Sequence, residues 1–170
     1  MVEPIRPGDI NIRSRGFLLA RTVAICRHCR KPTSLFALGV PPGHLTLDLP
    51  DHGEAEAPTV ESWVRADCAA FLFHIEFLPM ALQSLLQQLT QSDRFGFGAA
   101  EPSGFWANHC ERCGSLLEDE ELFCEPEGAF LPTSESSAAA IHLLKIDEEF
   151  AAAAAGYAFE PQFFDAMAED

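Results

Sequence analysis

Long hydrophobic runs are missing from this chain of 170 residues. No stretch reaches the roughly 18 consecutive apolar residues that a membrane-spanning helix needs. The N-terminal segment, residues 1–16, holds three arginines, Pro4, Pro7 and Gly8 but no apolar run, which indicates no secretory signal peptide. We therefore expect a cytoplasmic protein that does not enter the membrane, and in that compartment cysteines stay reduced.

Recognisable catalytic motifs are missing as well. The sequence has no His-Glu-x-x-His motif and no nucleophile elbow. Phe95-Gly96-Phe97-Gly98 has two glycines at the spacing of a dinucleotide-binding loop, but the third glycine and the Lys-Ser/Thr of a P-loop are absent. The acidic run Glu118–Glu121 is interpreted as a solvated turn. The sequence therefore predicts no catalytic residue and no binding site for an organic cofactor.

Basic residues are scarce and unevenly distributed. Eleven lysines and arginines stand against 26 acidic residues, for a net charge of −15. Seven of the eleven lie within residues 1–31, which carry +5 and leave −20 for the rest of the chain. A field of this sign repels phosphate groups, so we expect a protein partner rather than a nucleic acid. The alternative is a nucleic-acid-associated protein that uses the basic N-terminal face with Arg21, Arg27, Arg30 and Lys31.

Two Cys-x-x-Cys pairs, Cys26–Cys29 and Cys110–Cys113, are the most informative residues that the chain contains. Each such turn directs both sulfur atoms to one point, and two turns supply the four thiolates of a tetrahedral zinc ion. A shell of four cysteines leaves no open position for a substrate. The sequence thus predicts a structural Zn²⁺ with the ligands Cys26, Cys29, Cys110 and Cys113.

Other histidines and cysteines are expected to play no part in this site. His28 and His109 lie within or beside the pairs, but the shell is complete without them. Cys68 and Cys124 are single cysteines and are interpreted as small buried hydrophobic residues. An alternative for the first pair is a redox-active dithiol or a redox-sensing zinc switch. A redox-active dithiol requires a helix N-terminus. A hairpin is predicted here instead, because Lys31-Pro32-Thr33 and β-like residues follow the pair.

The segments around both pairs have the composition of β-strands. Residues 16–25 and 33–40 flank the first pair, and residues 105–108 and 116–130 flank the second. Each pair is therefore predicted at a hairpin turn, and Gly114 is predicted to adopt a positive φ. The predicted fold class is α+β, a two-knuckle zinc ribbon of antiparallel hairpins with a helical insertion between the cysteine pairs.

The insertion between Cys29 and Cys110 spans 80 residues, far more than the roughly 15–20 of a compact ribbon, so it must fold in its own right. Residues 41–58 are rich in Pro, Gly and acidic residues and predict a loop, and a short helix is predicted over 59–70 around Trp63. A leucine repeat at helical spacing predicts a helix over 79–91 with one face toward the core. The repeat consists of Leu82, Leu85, Leu86 and Leu89.

The C-terminal part gives weaker signals. Residues 138–146 are compatible with a strand or a helix, and Asp147 is predicted to cap an alanine-rich helix that ends at Gly156. Phe163 and Phe164 are expected to pack on the body of the protein. We predict one domain with five parts: an N-terminal extension (1–16), a first knuckle hairpin (17–40), a loop and helical insertion (41–98), a second knuckle hairpin (99–132) and a C-terminal segment (133–170).

The residues around the pairs also carry a family resemblance. The second pair lies in Phe105-Trp106-Ala107-Asn108-His109-Cys110-Glu111-Arg112-Cys113-Gly114, followed by Leu122 and Glu125-Pro126-Glu127-Gly128-Ala129-Phe130, and the first leads into Thr33-Ser34-Leu35-Phe36-Ala37-Leu38. This pattern resembles uncharacterised bacterial zinc-ribbon-like proteins with an aromatic-Trp-x-Asn-x-Cys-x-x-Cys-Gly motif. This chain has Leu117-Glu118-Asp119 where those sequences tend to have Gln-Gly-Asp. The resemblance implies a shared fold and a zinc ion on Cys26, Cys29, Cys110 and Cys113, and it implies no activity. We expect a zinc-binding cytoplasmic protein that serves as a protein-interaction module.

Overall fold

The computed structural model describes residues 10–48, 62–91, 95–97, 106–159, 161 and 163–170. Within these residues the chain forms twelve strands: β1 (Ile12–Ser14), β2 (Phe17–Ile25), β3 (Pro32–Val40), β4 (Leu45–Asp48), β5 (Ser62–Arg65), β6 (Ala70–Phe77), β7 (Phe95–Phe97), β8 (Trp106–His109), β9 (Leu116–Leu117), β10 (His142–Ile146), β11 (Phe150–Phe159) and β12 (Ala168–Glu169). The described helical elements are α1 (Met80–Thr90), α2 (Glu135–Ala138), a π-helical turn (Glu120–Cys124) and a 3-10 turn (Phe164–Ala166).

The strands join one mixed sheet. Nine of them follow the order β12-β10-β2-β3-β6-β11-β1-β4-β5, and β8 branches from β6 with β7 and β9 as its neighbours. The β10–β12 pair is parallel, whereas β2 pairs antiparallel with β3 and β6 antiparallel with β11. Strands β6 and β11 come from the middle and the end of the chain, so the sheet is assembled from distant parts of the sequence.

The predicted fold class, an α+β zinc ribbon with a helical insertion, is wrong. The described residues form mostly a large mixed sheet with few helical elements. The segment between the cysteine pairs supplies β6, which lies between β3 and β11 in the sheet. Large apolar side chains alternate between the two faces of β6 and fit a central strand that is covered on both sides.

Two segments that were predicted as helices are strands. Ser62–Arg65 forms β5 and pairs with β4. The alanine-rich segment forms β11, which pairs with β6 on one side and β1 on the other. Alanine has a high intrinsic helix propensity, but tertiary packing can override it. Here the small side chain of alanine fits a crowded sheet interior. Gly156 shows the crowding, because a Cβ at this position would lie 2.2 Å from the ring of Phe73.

The sheet separates two hydrophobic cores. Successive side chains of a strand point to opposite faces, and in β6 Leu72 belongs to the first core while Phe71 belongs to the second. The first core also contains Phe17 and is covered by α1. The second core contains Phe130 and the buried cysteines Cys26 and Cys110. Helix α1 and the cysteine residues therefore lie on opposite faces of the sheet.

Helix α1 matches the helix predicted over 79–91 within one residue at each end. Leu82 and Leu86 are buried and Leu85 packs partly against the first core, whereas Leu89 is 36% exposed. Three of the four leucines therefore face the sheet, and Leu89 lies at the margin of the contact. None of the helices in the described part of the chain is long and apolar enough to cross a membrane.

The two C-terminal phenylalanines behave differently from each other. The ring of Phe164 packs against the second core, with its centroid 6.5 Å from that of Phe71. Phe163 is 39% exposed and has a positive φ of 57°. The expectation that both rings pack on the body is confirmed for Phe164 and wrong for Phe163.

The burial of Leu86 can be tested by truncation. We expect Leu86→Ala to lower the free energy of unfolding by about 2–5 kcal/mol, because it leaves a cavity between α1 and the sheet. Leu89→Ala is the matched control on the same helix and should cost well under that amount, since the side chain is 36% exposed. Urea unfolding monitored by circular dichroism measures both. Equal costs for the two variants would contradict this packing of α1.

Candidate metal centre

The first cysteine pair lies in the turn between β2 and β3. The Cys26 amide donates to the carbonyl of Lys31 at 2.9 Å, and the Arg30 amide donates to the carbonyl of Cys26 at 2.8 Å. Arg30 closes the turn with a φ of 59°, in the left-handed region that most side chains avoid. The turn thus keeps both cysteines on one side, and Arg30 adopts a conformation for which glycine is better suited.

The second pair lies in the turn between β8 and β9 and has the same backbone pattern. The Cys110 amide donates to the carbonyl of Ser115 at 2.9 Å, and the Gly114 amide donates to the carbonyl of Cys110 at 2.9 Å. Gly114 has a φ of 72°, so the predicted positive φ is confirmed. The two turns are therefore equivalent in backbone geometry, with Gly114 at the position that Arg30 occupies in the first.

The four sulfur atoms converge. All four Sγ atoms of Cys26, Cys29, Cys110 and Cys113 lie within 4.8 Å of one another. The Cys26–Cys113 and Cys29–Cys110 Sγ distances are both 3.7 Å. A tetrahedral ion with metal–sulfur distances of about 2.3 Å requires sulfur–sulfur distances of about 3.8 Å. The cluster is compatible with a metal-binding site, and each 3.7 Å contact joins one turn to the other.

Hydrogen bonds beside the sulfurs tie the two turns together. The Glu111 amide donates to the hydroxyl of Thr33 at 3.0 Å, and the Ser34 amide donates to the carboxylate of Glu111 at 3.2 Å. Arg27, in the first turn, forms an ion pair with Glu121 of the π-helical turn. The position of the cysteines is therefore fixed by contacts beyond the sulfur atoms themselves.

Asn108 makes the most buried of these connections. Its side chain accepts a hydrogen bond from the Phe36 amide at 2.9 Å and donates to the Phe36 carbonyl at 2.8 Å. Asn108 is 2% exposed and lies two residues before Cys110. The Asn108 side chain thus makes the two hydrogen bonds that the backbone of a neighbouring strand would make with Phe36, and it holds β8 against β3.

The cysteines differ in exposure. Cys26 and Cys110 are buried in the second core, Cys29 is half-buried and Cys113 is exposed. One side of the cluster is thus covered by hydrophobic residues, and the other side is open to solvent.

The thiols also differ in how readily they ionise. The backbone amide of Cys113 lowers the pKa of Cys110 to about 6 although burial acts against it. The Ser115 hydroxyl lowers the pKa of Cys113. The Lys31 backbone amide lowers the pKa of Cys29. Burial and hydrogen bonds to the other thiols outweigh it and raise the pKa of Cys29 to about 11. Metal ligands must be deprotonated, so metal binding to this cluster weakens as the pH falls.

Other candidate ligands stay outside the cluster. Among the described residues, the only group of three or more histidine, cysteine or acidic side chains that could hold a metal consists of the four cysteines. His28 and His109 are not members of it, and neither are Cys68 and Cys124. Cys124 is exposed and Cys68 half-buried, so the expectation that both are buried is wrong.

The acidic run after the second turn has a structural role that the sequence analysis missed. Asp119 is buried, and its carboxylate accepts a hydrogen bond from the His74 amide at 2.8 Å. Burial raises the pKa of Asp119 above its ordinary value. Glu120 lies 2.9 Å from His74 Nε2, and Glu121 pairs with Arg27. The acidic sequence does not predict the burial of Asp119, because the amide that it binds belongs to β6, about 45 residues earlier.

Comparison with protein-family models, with curated proteins and with solved structures finds no match to this chain. The resemblance to bacterial zinc-ribbon-like proteins therefore rests on the motif residues alone. The convergence of the four cysteines in space supports a metal-binding site and does not show a family.

The effect of Asn108 on metal binding can be measured separately from its effect on the stability of the fold. We expect Asn108→Ala to lower the free energy of unfolding by about 1–3 kcal/mol for each buried backbone group of Phe36 that loses its partner. It should also weaken metal binding, because Cys110 follows two residues later. Urea unfolding gives the first quantity, and titration with cobalt(II), whose thiolate absorption band reports binding, gives the second.

A matched control lies far from the cysteines. The side chain of Asn11 bridges the amide and carbonyl of Ala154 in the same manner, at 3.0 and 2.8 Å. Asn11→Ala should destabilise the fold and leave cobalt affinity unchanged. If both variants weaken cobalt binding equally, Asn108 has no specific effect on the cysteine cluster.

Proposed function

We propose that this chain is a cytoplasmic zinc-binding protein whose zinc ion has a structural role, and that it acts as an interaction module for a protein partner. The observation that carries the proposal is the meeting of four cysteine sulfurs from two equivalent turns. Four thiolates in a tetrahedral arrangement favour zinc over hard cations such as magnesium and calcium.

A structural role follows from the ligand set. Catalytic zinc sites keep one position for water or substrate, whereas four cysteines fill all positions. A zinc ion on Cys26, Cys29, Cys110 and Cys113 would link β2 and β3 to β8 and β9 through bonds that the unfolded chain does not make. Its binding free energy would therefore add to the stability of the folded sheet.

A protein partner is favoured by charge. The chain carries −15, and four thiolates around one Zn²⁺ add a further net −2 that the formal count omits. Among the cations near the first turn, Arg27 is already paired with Glu121. The field around most of the surface therefore attracts a basic protein surface and repels a polyanion.

Metal content and stability test the zinc site. We expect about one zinc ion per chain in protein purified under reducing conditions, because four thiolates form one closed site. Cys26→Ser should abolish zinc binding, and removal of zinc by a chelator should lower the thermal unfolding midpoint by at least several degrees. Elemental analysis and calorimetry measure these effects.

Cys68→Ser is the control, since Cys68 lies outside the cluster, and it should leave the zinc content unchanged. Reduced protein without any transition metal would refute the zinc proposal. Loss of zinc in the Cys68 variant would refute the ligand set.

Oligonucleotide binding tests the choice of partner. We expect no submicromolar binding of single-stranded or duplex oligonucleotides at about 150 mM salt, where the screening length is near 8 Å. Fluorescence anisotropy measures the affinity. Tight binding that disappears when Arg21, Arg27, Arg30 and Lys31 are changed to alanine would favour the nucleic-acid alternative instead.

A further inference from the structure

A large groove lies on the face of the sheet that α1 covers. Its volume is about 1270 Å³, above the roughly 300–1,000 Å³ of typical small-molecule sites, so a small ligand would occupy part of it. Leu82 and Phe150 line it and belong to the first core, whereas Cys26 and Cys110 belong to the second. The groove and the cysteine cluster are therefore on opposite faces, and none of the residues that line the groove is a candidate zinc ligand.

Three guanidinium groups line this groove although the chain as a whole is strongly acidic. They belong to Arg13, Arg15 and Arg65, which make up three of only eleven basic residues. All three are exposed, and none forms an ion pair with another residue in the part of the chain that the structure describes. Guanidinium groups are well suited to carboxylates and phosphates, which they bind with two parallel hydrogen bonds.

Two of these arginines have identifiable close neighbours. The Arg13 guanidinium carbon lies 4.5 Å from the ring centroid of Trp63, a cation–π contact. The Arg65 guanidinium lies so close to Gly43 that a Cβ there would be 3.3 Å from Nη2. Gly43 also has a φ of 93°, a backbone conformation that favours glycine. A side chain stacked on a ring, as Arg13 is on Trp63, loses less conformational entropy when it binds a ligand.

The beginning of α1 adds to the positive potential. Pro79 and Ala81 line the groove, and α1 has neither a side-chain cap nor an acidic residue in its first turn. The amide dipoles at the N-terminus of an eleven-residue helix favour a nearby anion. This field adds to that of the three arginines.

The rest of the lining limits the kind of anion. Leu82, Leu85 and Phe150 provide an apolar wall, which suits a hydrocarbon portion of a ligand. Glu148 and Glu149 also line the groove, and these two glutamates with the three arginines leave the lining with a net charge of +1, which suits a single anionic group. The lining thus favours a molecule with one anionic head and an apolar body over a polyanion.

We propose that this groove is a binding site for an amphipathic anion, a molecule that carries one carboxylate or phosphate monoester group on a short apolar chain. The arginines bind the head group, and the apolar wall beside α1 receives the chain. This is a binding function on the face opposite the cysteine cluster and is separate from the proposed interaction with a protein partner.

Calorimetric titration with four probes that share an eight-carbon chain tests the proposal. Octyl phosphate and octanoate carry the two possible anionic heads, octanol is neutral and octylammonium is cationic. We expect binding of one or both anions, at least about tenfold weaker binding of octanol and no binding of octylammonium, because charge-assisted hydrogen bonds supply much of the affinity. The two anions distinguish a phosphate head from a carboxylate head.

Variants locate the site. Arg65→Gln and Arg15→Gln should each weaken binding of the anionic probe by about tenfold or more. Arg21→Gln is the matched control, since Arg21 is an exposed arginine outside the groove, and it should leave binding unchanged. Circular dichroism verifies that each variant is folded. Absence of binding by both anions at millimolar concentration, equal binding of octanol, or no effect of either groove variant would overturn the proposal.

Discussion

Two turns that are separated by 80 residues have to hold their sulfur atoms in contact, and much of the surrounding structure meets this requirement. Thiolates repel one another unless a cation or protons lie between them, and the two turns also have support away from the sulfur atoms. This support consists of the hydrogen bonds between the Asn108 side chain and the backbone of Phe36, and of the hydrogen bond that the Glu111 amide donates to the Thr33 hydroxyl. Strand pairing and sulfur convergence therefore stabilise each other.

The division of the sheet into two faces keeps the two candidate functions apart. On one face the cysteine cluster is packed against aromatic residues such as Phe130, and on the other α1 covers leucine-rich core and borders the arginine-lined groove. Small residues occupy the centre of β11, where Ala152, Ala153 and Ala154 are all buried.

The cysteines, helix α1 and the turn at Gly114 could be predicted because each depends on local signals: ligand spacing, leucine periodicity and a glycine where φ is positive. The fold class could not, because the pairing of β6 with β11 is set by residues about 80 positions apart. The alanine run shows the difficulty most clearly. Its local preference is helical, and only the neighbouring strands make it part of the sheet. The groove arginines share no sequence motif, and only the tertiary structure places Arg13 and Arg65 in the lining of one groove.

The pairing of β1 with β11 and of β2 with β10 also determines how the chain assembles. Ile12 lies opposite Ala152, and Leu19 lies opposite Leu144, so the sheet is built from contacts of very high sequence separation. Such topologies fold slowly, because a long loop must close before the contacts can form. At a synthesis rate of about 5–20 residues per second, Cys110 follows Cys26 by roughly 4–17 s. During that interval the first two thiols exist without their partners, so the nascent chain carries an unpaired Cys-x-x-Cys turn before the four-sulfur cluster can form.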